Sequence, residues 1–159
     1  MPWTNPETFT AGQTLTAASM NLISGNLTEL APFMSSFTSW TPTLKQGATP
    51  TQTNTRSRYV KIGKLLYATF SISLTGSGTG GSVITLDYST IGTAASTNSA
   101  FGGFTHFDTG ISNYVGIAIP DTTTTMKFRV DAYGADHGQQ PQNLSSGDTF
   151  SGWFIAELA

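Results

Sequence analysis

The sequence predicts a mainly β fold, an antiparallel β-sandwich or jelly-roll-like domain preceded by one short N-terminal helix. Three observations carry that expectation. After Trp40 the apolar residues recur with period two, while a helical period appears only before it. The chain of 159 residues holds 17 Gly and is rich in Thr and Ser, which suit strands and turns better than helix interiors. It also carries 10 Phe, 5 Tyr and 3 Trp but only 10% charged residues, where an ordinary soluble domain has roughly 25%. That aromatic mass argues against global disorder. The surface must then be built from hydroxyls, amides and backbone.

Residues 1–39 read as an N-terminal attachment segment and residues 40–159 as the β domain. In the first, Thr14 or Thr16 is placed to cap a helix through its side-chain oxygen. Met20, Ile23, Leu27, Leu30 and Met34 follow at 3-4-3-4 spacing, one stripe of a helix. Pro32 lacks an N–H and clashes with the carbonyl of Thr28, so the helix is expected to end near residue 31. Gly25 weakens its middle by roughly 1 kcal/mol relative to Ala. The stripe is too short for an independent coiled coil. Two readings stay open: a helix packed on its own β domain, or one helix of a three-chain cluster or of a docking contact on a larger assembly.

In the β domain, a first strand is expected near 40–45. Val60, Ile62, Leu66, Ala68, Phe70, Ile72 and Leu74 all take even positions, giving two strand runs joined by a turn at Gly63-Lys64. The tract Gly76–Ser82 is expected to be a flexible hairpin loop. Further strands are expected at 83–88, 101–107, 114–119, 126–133 and 149–158. In the last of these, Phe150, Phe154, Ala156 and Leu158 occupy one face, and Trp153 and Ile155 the other. Both faces are apolar, so either loops or a neighbouring subunit must cover the second one. Strand-helix alternation is missing, which argues against a doubly wound nucleotide-binding fold.

Catalytic patterns are scarce. The two histidines, His106 and His137, have Asp108, Asp131 and Asp136 as potential co-ligands only if distant loops converge, so no metal site is expected. The acids stand singly rather than as a glycosidase pair. No Gly-x-Ser-x-Gly elbow occurs, and Gly76–Gly81 lacks the Lys-Ser/Thr ending of a phosphate loop. Neither catalytic residues nor a cofactor are therefore expected. With no cysteine, disulfides and thiolate chemistry are excluded. A net charge of −2 and a pI near 5.5 argue against nucleic acid as a partner. No apolar run is long enough to insert in a membrane, and no signal peptide is expected. Arg56, Arg58, Lys61 and Lys64 form one basic cluster, expected on a solvated strand edge. The sequons at Asn26 and Asn143 are read as chance. Trp3, Trp40, Tyr88, Tyr114 and Tyr133 are read as exposed aromatics whose faces could stack on sugar rings, although core and interface packing use such residues far more often.

The opening, Trp3 followed by Phe9-Thr10-Ala11-Gly12-Gln13-Thr14-Leu15-Thr16-Ala17-Ala18-Ser19-Met20-Asn21 and then Asn26-Leu27 and Leu30, resembles a segment of small bacteriophage virion proteins. These are head-decoration, head-fibre and minor tail proteins. The blocks Trp40-Thr41-Pro42-Thr43-Leu44 and Arg58-Tyr59-Val60-Lys61-Ile62-Gly63-Lys64-Leu65 look like the start of the β domain in the same group. The resemblance touches residues 3–74. It implies a non-enzymatic component of the virion surface, a capsid decoration or head-fibre-like protein, often a homotrimer, held to capsid or tail proteins by its N-terminal segment. On that basis Trp3, Phe9 and Leu15 are candidate attachment residues. Met20, Ile23, Leu27 and Leu30, with Trp153 and Ile155, are candidate oligomer-interface residues. The threefold count comes from the resemblance; the spacing does not decide it. The competing expectation is a minor tail or receptor-binding protein that recognises host surface carbohydrate, and a small cell-wall hydrolase is a distant third.

Overall fold

The computed structural model describes residues 11–14, 16–34, 37–130 and 143–159, with backbone alone for residues 29–34. The chain divides into two compact units, Met1–Ser36 and Phe37–Ala159. The division falls three residues before the expected boundary because Thr38 and Ser39 already pair with Tyr59 and Arg58.

In the first unit, helix α1 spans Ala17–Met34. Thr16, the second candidate cap, starts it: its Oγ1 accepts the Ser19 N–H at 3.1 Å, satisfying one of the unpaired donors of the first turn. The helix continues past Pro32, against expectation. Pro32 removes one bond to the Thr28 carbonyl, and only two residues follow before the end, so the loss is confined to the last turn. The covered face also differs from the expected stripe. Ser19 and Asn26 are buried and Leu22 and Ile23 half-buried, an i, i+3, i+4, i+7 face. Met20 and Leu27 point outward, 51% and 61% exposed.

The second unit is mainly β. Its strands are β1 (Thr38–Ser39), β2 (Thr43–Gln46), β3 (Gln52–Asn54), β4 (Arg58–Ile62), β5 (Leu65–Leu74), β6 (Ile84–Asp87), β7 (Ala100–Asp108), β8 (Ser112–Pro120), β9 (Thr125–Arg129) and β10 (Thr149–Glu157). They form one antiparallel sheet in the order β1-β4-β5-β10-β7-β8-β9-β6-β2, with β3 added on β5 beyond the end of β4. The sheet curls on itself into a sandwich-like domain. The last strand of the order, β2, meets β3 on β5, where the Leu44 N–H donates to the Gln52 side-chain oxygen at 3.1 Å. Strands β1 and β3, of two and three residues, are too short for any periodicity to reveal. The expected run 126–133 ends as a strand at Arg129, and residues 131–133 lie outside the described residues.

The core lies inside the curl. On β5 the even residues Leu66 to Leu74 are all buried, 2% exposed or less. They meet Phe150 and Phe154 of β10, Phe104 of β7 and Phe128 of β9; the Phe128 and Phe150 rings lie 4.7 Å apart and Phe104 and Phe128 4.9 Å. Room for these rings comes from glycine. A Cβ on Gly102 would collide with the Trp153 carbonyl and lie 2.8 Å from Phe154 Cα.

Three expectations are corrected. Val60 and Ile62 do not continue the buried face of β5: the two-residue turn at Gly63 (φ +60°) pairs Ile62 with Leu65 and Val60 with Tyr67. A two-residue loop pairs even with odd positions, so Val60 and Ile62 face outward while Tyr59 packs against the core. The Gly76–Ser82 tract is no hairpin, because β5 and β6 are not neighbours. It is a packed crossover, with the Gly78 N–H donating to the Leu144 carbonyl at 2.8 Å and the Thr79 N–H to that of Gln46 at 2.7 Å. Trp40 and Tyr88 are core residues rather than exposed platforms. Trp40 Nε1 donates to the Thr69 carbonyl at 3.0 Å and the Tyr88 hydroxyl to that of Thr123 at 2.9 Å. Burial pushes the Tyr88 hydroxyl pKa up to about 12.

Candidate interaction surface

Antiparallel sheets with one solvated face usually carry polar residues on it. On the convex side of β4, β5, β10, β7 and β8 they share the face with large apolar side chains. Cross-strand register places Thr69, Trp153, Gly103 and Ile117 in one row, and Val60, Tyr67, Ile155 and Phe101 in the next. Beyond them lie Ile62 beside Leu65 at one end and Thr105 beside Val115 at the other. Trp153 is 40% exposed, Ile155 37%, Phe101 51% and Val115 70%. Between Arg58 on β4 and Arg129 on β9, the Trp153 row contains no charge.

The relief of this face follows from the same residues. Trp153 spreads its indole over its partner Gly103, the space above which a Cβ would share with Nε1 at 3.4 Å. Phe101 meets the indole edge-on, 5.8 Å between centroids at 86°, a favourable aromatic geometry. Together they make a ridge. On one side of it lies a groove of about 430 Å³, walled by Tyr67, Trp153 and Val115 and by the hydroxyls of Thr69, Thr105 and Ser151. On the other, Leu65, Asn98, Ile155 and Glu157 surround a smaller depression of about 250 Å³.

The only described histidine takes no part in this face. His106 is fully buried on the core side of β7, and its Nε2 donates to Asp148 Oδ2 at 3.3 Å. Asp148 also accepts the Thr109 N–H at 2.9 Å and the Ser145 N–H at 2.7 Å, tying the start of β10 to the end of β7. Burial holds the His106 pKa below its ordinary 6.5, against the opposing pull of Asp148 and Asp108. Asp108 is 2% exposed and neither carboxyl oxygen has a hydrogen-bond partner among the described residues. Burial and the charge of Asp148 hold its pKa above the ordinary carboxylate range. The cluster joins two strands; the Ser145 hydroxyl also donates to Asp148 Oδ2, at 3.2 Å, so it is bonded to the carboxylate rather than to the imidazole. Among the described residues, no group of three His, Asp or Glu side chains is arranged to hold a metal ion. His137, Asp131, Asp136 and Tyr133 lie outside the described residues.

Of the residues singled out from sequence, Trp153 and Ile155 stand two positions apart on the exposed face of β10. Met20, Ile23 and Leu27 are on α1 in the other unit, with Leu30 placed there by its backbone. Trp3, Phe9 and Leu15 lie outside the described residues. The exposure of Trp153 and Ile155 removes one of the two expected covers for their face, a loop of the described chain. Missed from sequence were Phe101, Val115, Ile117, Ile62, Leu65 and Tyr67. Their signal is the odd-position alternation of β7 and β8, together with the change of parity at the Gly63-Lys64 turn. Comparison with protein-family models, with curated proteins and with solved structures gives no match.

Proposed function

We propose that the protein is a non-enzymatic structural component of a bacteriophage particle, an oligomeric capsid decoration or head-fibre-like protein on the virion surface. The observation that carries the reading is the division of labour in the chain. The β unit has a complete core of its own, and its convex face still offers large apolar side chains to solvent. The separate helical unit also leaves Met20 and Leu27 outward. A chain so poor in charge with two unpartnered apolar surfaces fits a part that is held by neighbours. The resemblance of residues 3–74 to small virion proteins supplies the class. It also supplies the homotrimer and the attachment to capsid or tail proteins through Trp3, Phe9 and Leu15. The reading requires neither a cofactor nor nucleic acid.

Antibody labelling of intact particles tests it. Label distributed over the head exterior is the expected result; particles that carry none of the protein would overturn the reading. The second reading, a tail or receptor-binding protein, draws on one observation: the groove sets Trp153 and Tyr67 opposite the hydroxyls of Thr69, Thr105 and Ser151, a chemistry suited to a sugar ring. Label confined to the tail tip, with binding on a glycan array, would favour it.

A further inference from the structure

We infer that the convex face of β4, β5, β10, β7 and β8 is where copies of this chain associate, the Phe101–Trp153 ridge of one copy seated in the groove of its neighbour. This deepens the oligomeric part of the proposed function and does not depend on where the protein resides.

The extent of the face is the first argument. The exposed fractions of Ile62, Leu65, Phe101, Val115, Ile117, Trp153 and Ile155 together equal about three wholly exposed large side chains. At roughly 200 Å² each, that is on the order of 600 Å². It reaches the upper end for the largest patch of an ordinary monomer and approaches the ~800 Å² per partner of a standard stable interface. Polar atoms at the rim extend it further.

Shape and charge point to a second copy as the occupant. A ridge and two depressions lie side by side on one face, the depressions holding about 430 and 250 Å³, so the surface carries both halves of its own complement. The middle rows hold no charge that would call for an unlike partner. The rim carries both signs, with Arg58 and Arg129 at the ends of the Trp153 row and Glu157 beside Leu65, each exposed, so a second copy can set Glu157 against an arginine. Ridge-into-groove contact of this kind closes either reciprocally about a twofold axis or in sequence around a threefold one. Sheet edges play no part: the contact is face to face, with side chains interdigitating as in the core.

The test is the light-scattering mass of the full chain at tens of micromolar, for the wild type and for Trp153→Ala and Val115→Glu. Val115→Glu adds a charge at a position 70% exposed, where it leaves the core untouched, and circular dichroism checks that both variants stay folded. The expected wild-type mass is about three times the 16.8 kDa of the chain, with each variant weakening association roughly ten- to a hundredfold and shifting mass toward a single chain. A doubled mass lost in both variants also supports this interface, and overturns the threefold count of the preceding section. A wild type with the mass of one chain overturns the inference, as do folded variants that remain fully assembled, since the helical unit would then hold the copies together. Unlabelled particles would refute the virion reading and leave these masses unaffected.

Discussion

The two faces of β5, β10 and β7 both carry large apolar side chains, and these meet opposite fates. On the inner face Phe70, Phe154 and Phe104 are 3% exposed or less; on the outer face Trp153, Ile155 and Phe101 are between 37% and 51% exposed. Apolar character alone therefore does not separate core from surface at these positions. Curling does: the inner face is closed by β6, β9 and β2, while no described element closes the outer one. An apolar side chain stabilises the fold only where the fold itself supplies its neighbours. Elsewhere it is available to a partner.

The sharpest way to break this contrast is to truncate adjacent residues of β10. Phe154 lies against Tyr88, 5.0 Å between ring centroids, and edge-on to Trp40. Phe154→Ala should cost about 3–5 kcal/mol in urea unfolding of the isolated chain, the usual cost of removing a buried aromatic. Trp153→Ala should cost the same isolated chain less than about 1 kcal/mol, because much of the indole is already in water. Equal losses at the two positions would erase the distinction between the faces.

Neighbouring glycines make the same comparison by addition. A Cβ at Gly102 has no space between Trp153 and Phe154, whereas one at Gly103 meets nothing closer than the indole Nε1 at 3.4 Å. Gly102→Ala should destabilise by at least about 1–3 kcal/mol, as overpacking does. Gly103→Ala should stay within about 0.5 kcal/mol, the range of ordinary surface changes. Chemical denaturation of the two variants side by side would show whether the order holds.

A smaller effect is expected from the buried cluster at the end of β7. The His106 pKa lies below its unfolded value of 6.5, so the unfolded state binds more protons as pH falls through that range. The contribution of the neutral imidazole is fully present above 6.5 and is lost progressively below it. Asp108, with its pKa raised above 3.8, acts with the opposite sign at pH values just above 3.8. The thermal midpoint should thus fall between pH 7.5 and pH 5.5, and His106→Gln should flatten that fall. An unchanged slope in the variant would show that the pH dependence comes from other groups. The smallest change should come at the far end of the sheet order. Lys45 lies 3.6 Å from Asp87 with nearly half its side chain in solvent, so Lys45→Ala should cost under about 1 kcal/mol and leave assembly unaltered.

Much of the fold was legible in the residues. The even run Leu66–Leu74 and the Thr16 cap stand in the structure as the pattern implies. What escaped depends on partners distant in sequence. Ile62 points outward because a two-residue turn changes which positions pair, a geometric consequence that periodicity within either run does not contain. Trp40 and Tyr88 are buried by strands far along the chain, and His106 finds Asp148 42 residues away. On α1, the apolar stripe through Met20 and Leu27 is offset from the covered face, because the buried positions Ser19 and Asn26 are polar and hydropathy does not mark them. The outer surface was legible only in β10, where one strand shows both its faces. Its breadth over five strands required the register.

The concentration dependence of unfolding tests at once whether the inner face folds the chain and whether the outer face joins it to its copies. Association linked to folding raises the unfolding midpoint with protein concentration. The midpoint of the wild-type chain should rise steadily between submicromolar and hundred-micromolar samples, and that of Trp153→Ala should begin to rise only at ten- to hundredfold higher concentration. A wild-type midpoint independent of concentration would contradict the account.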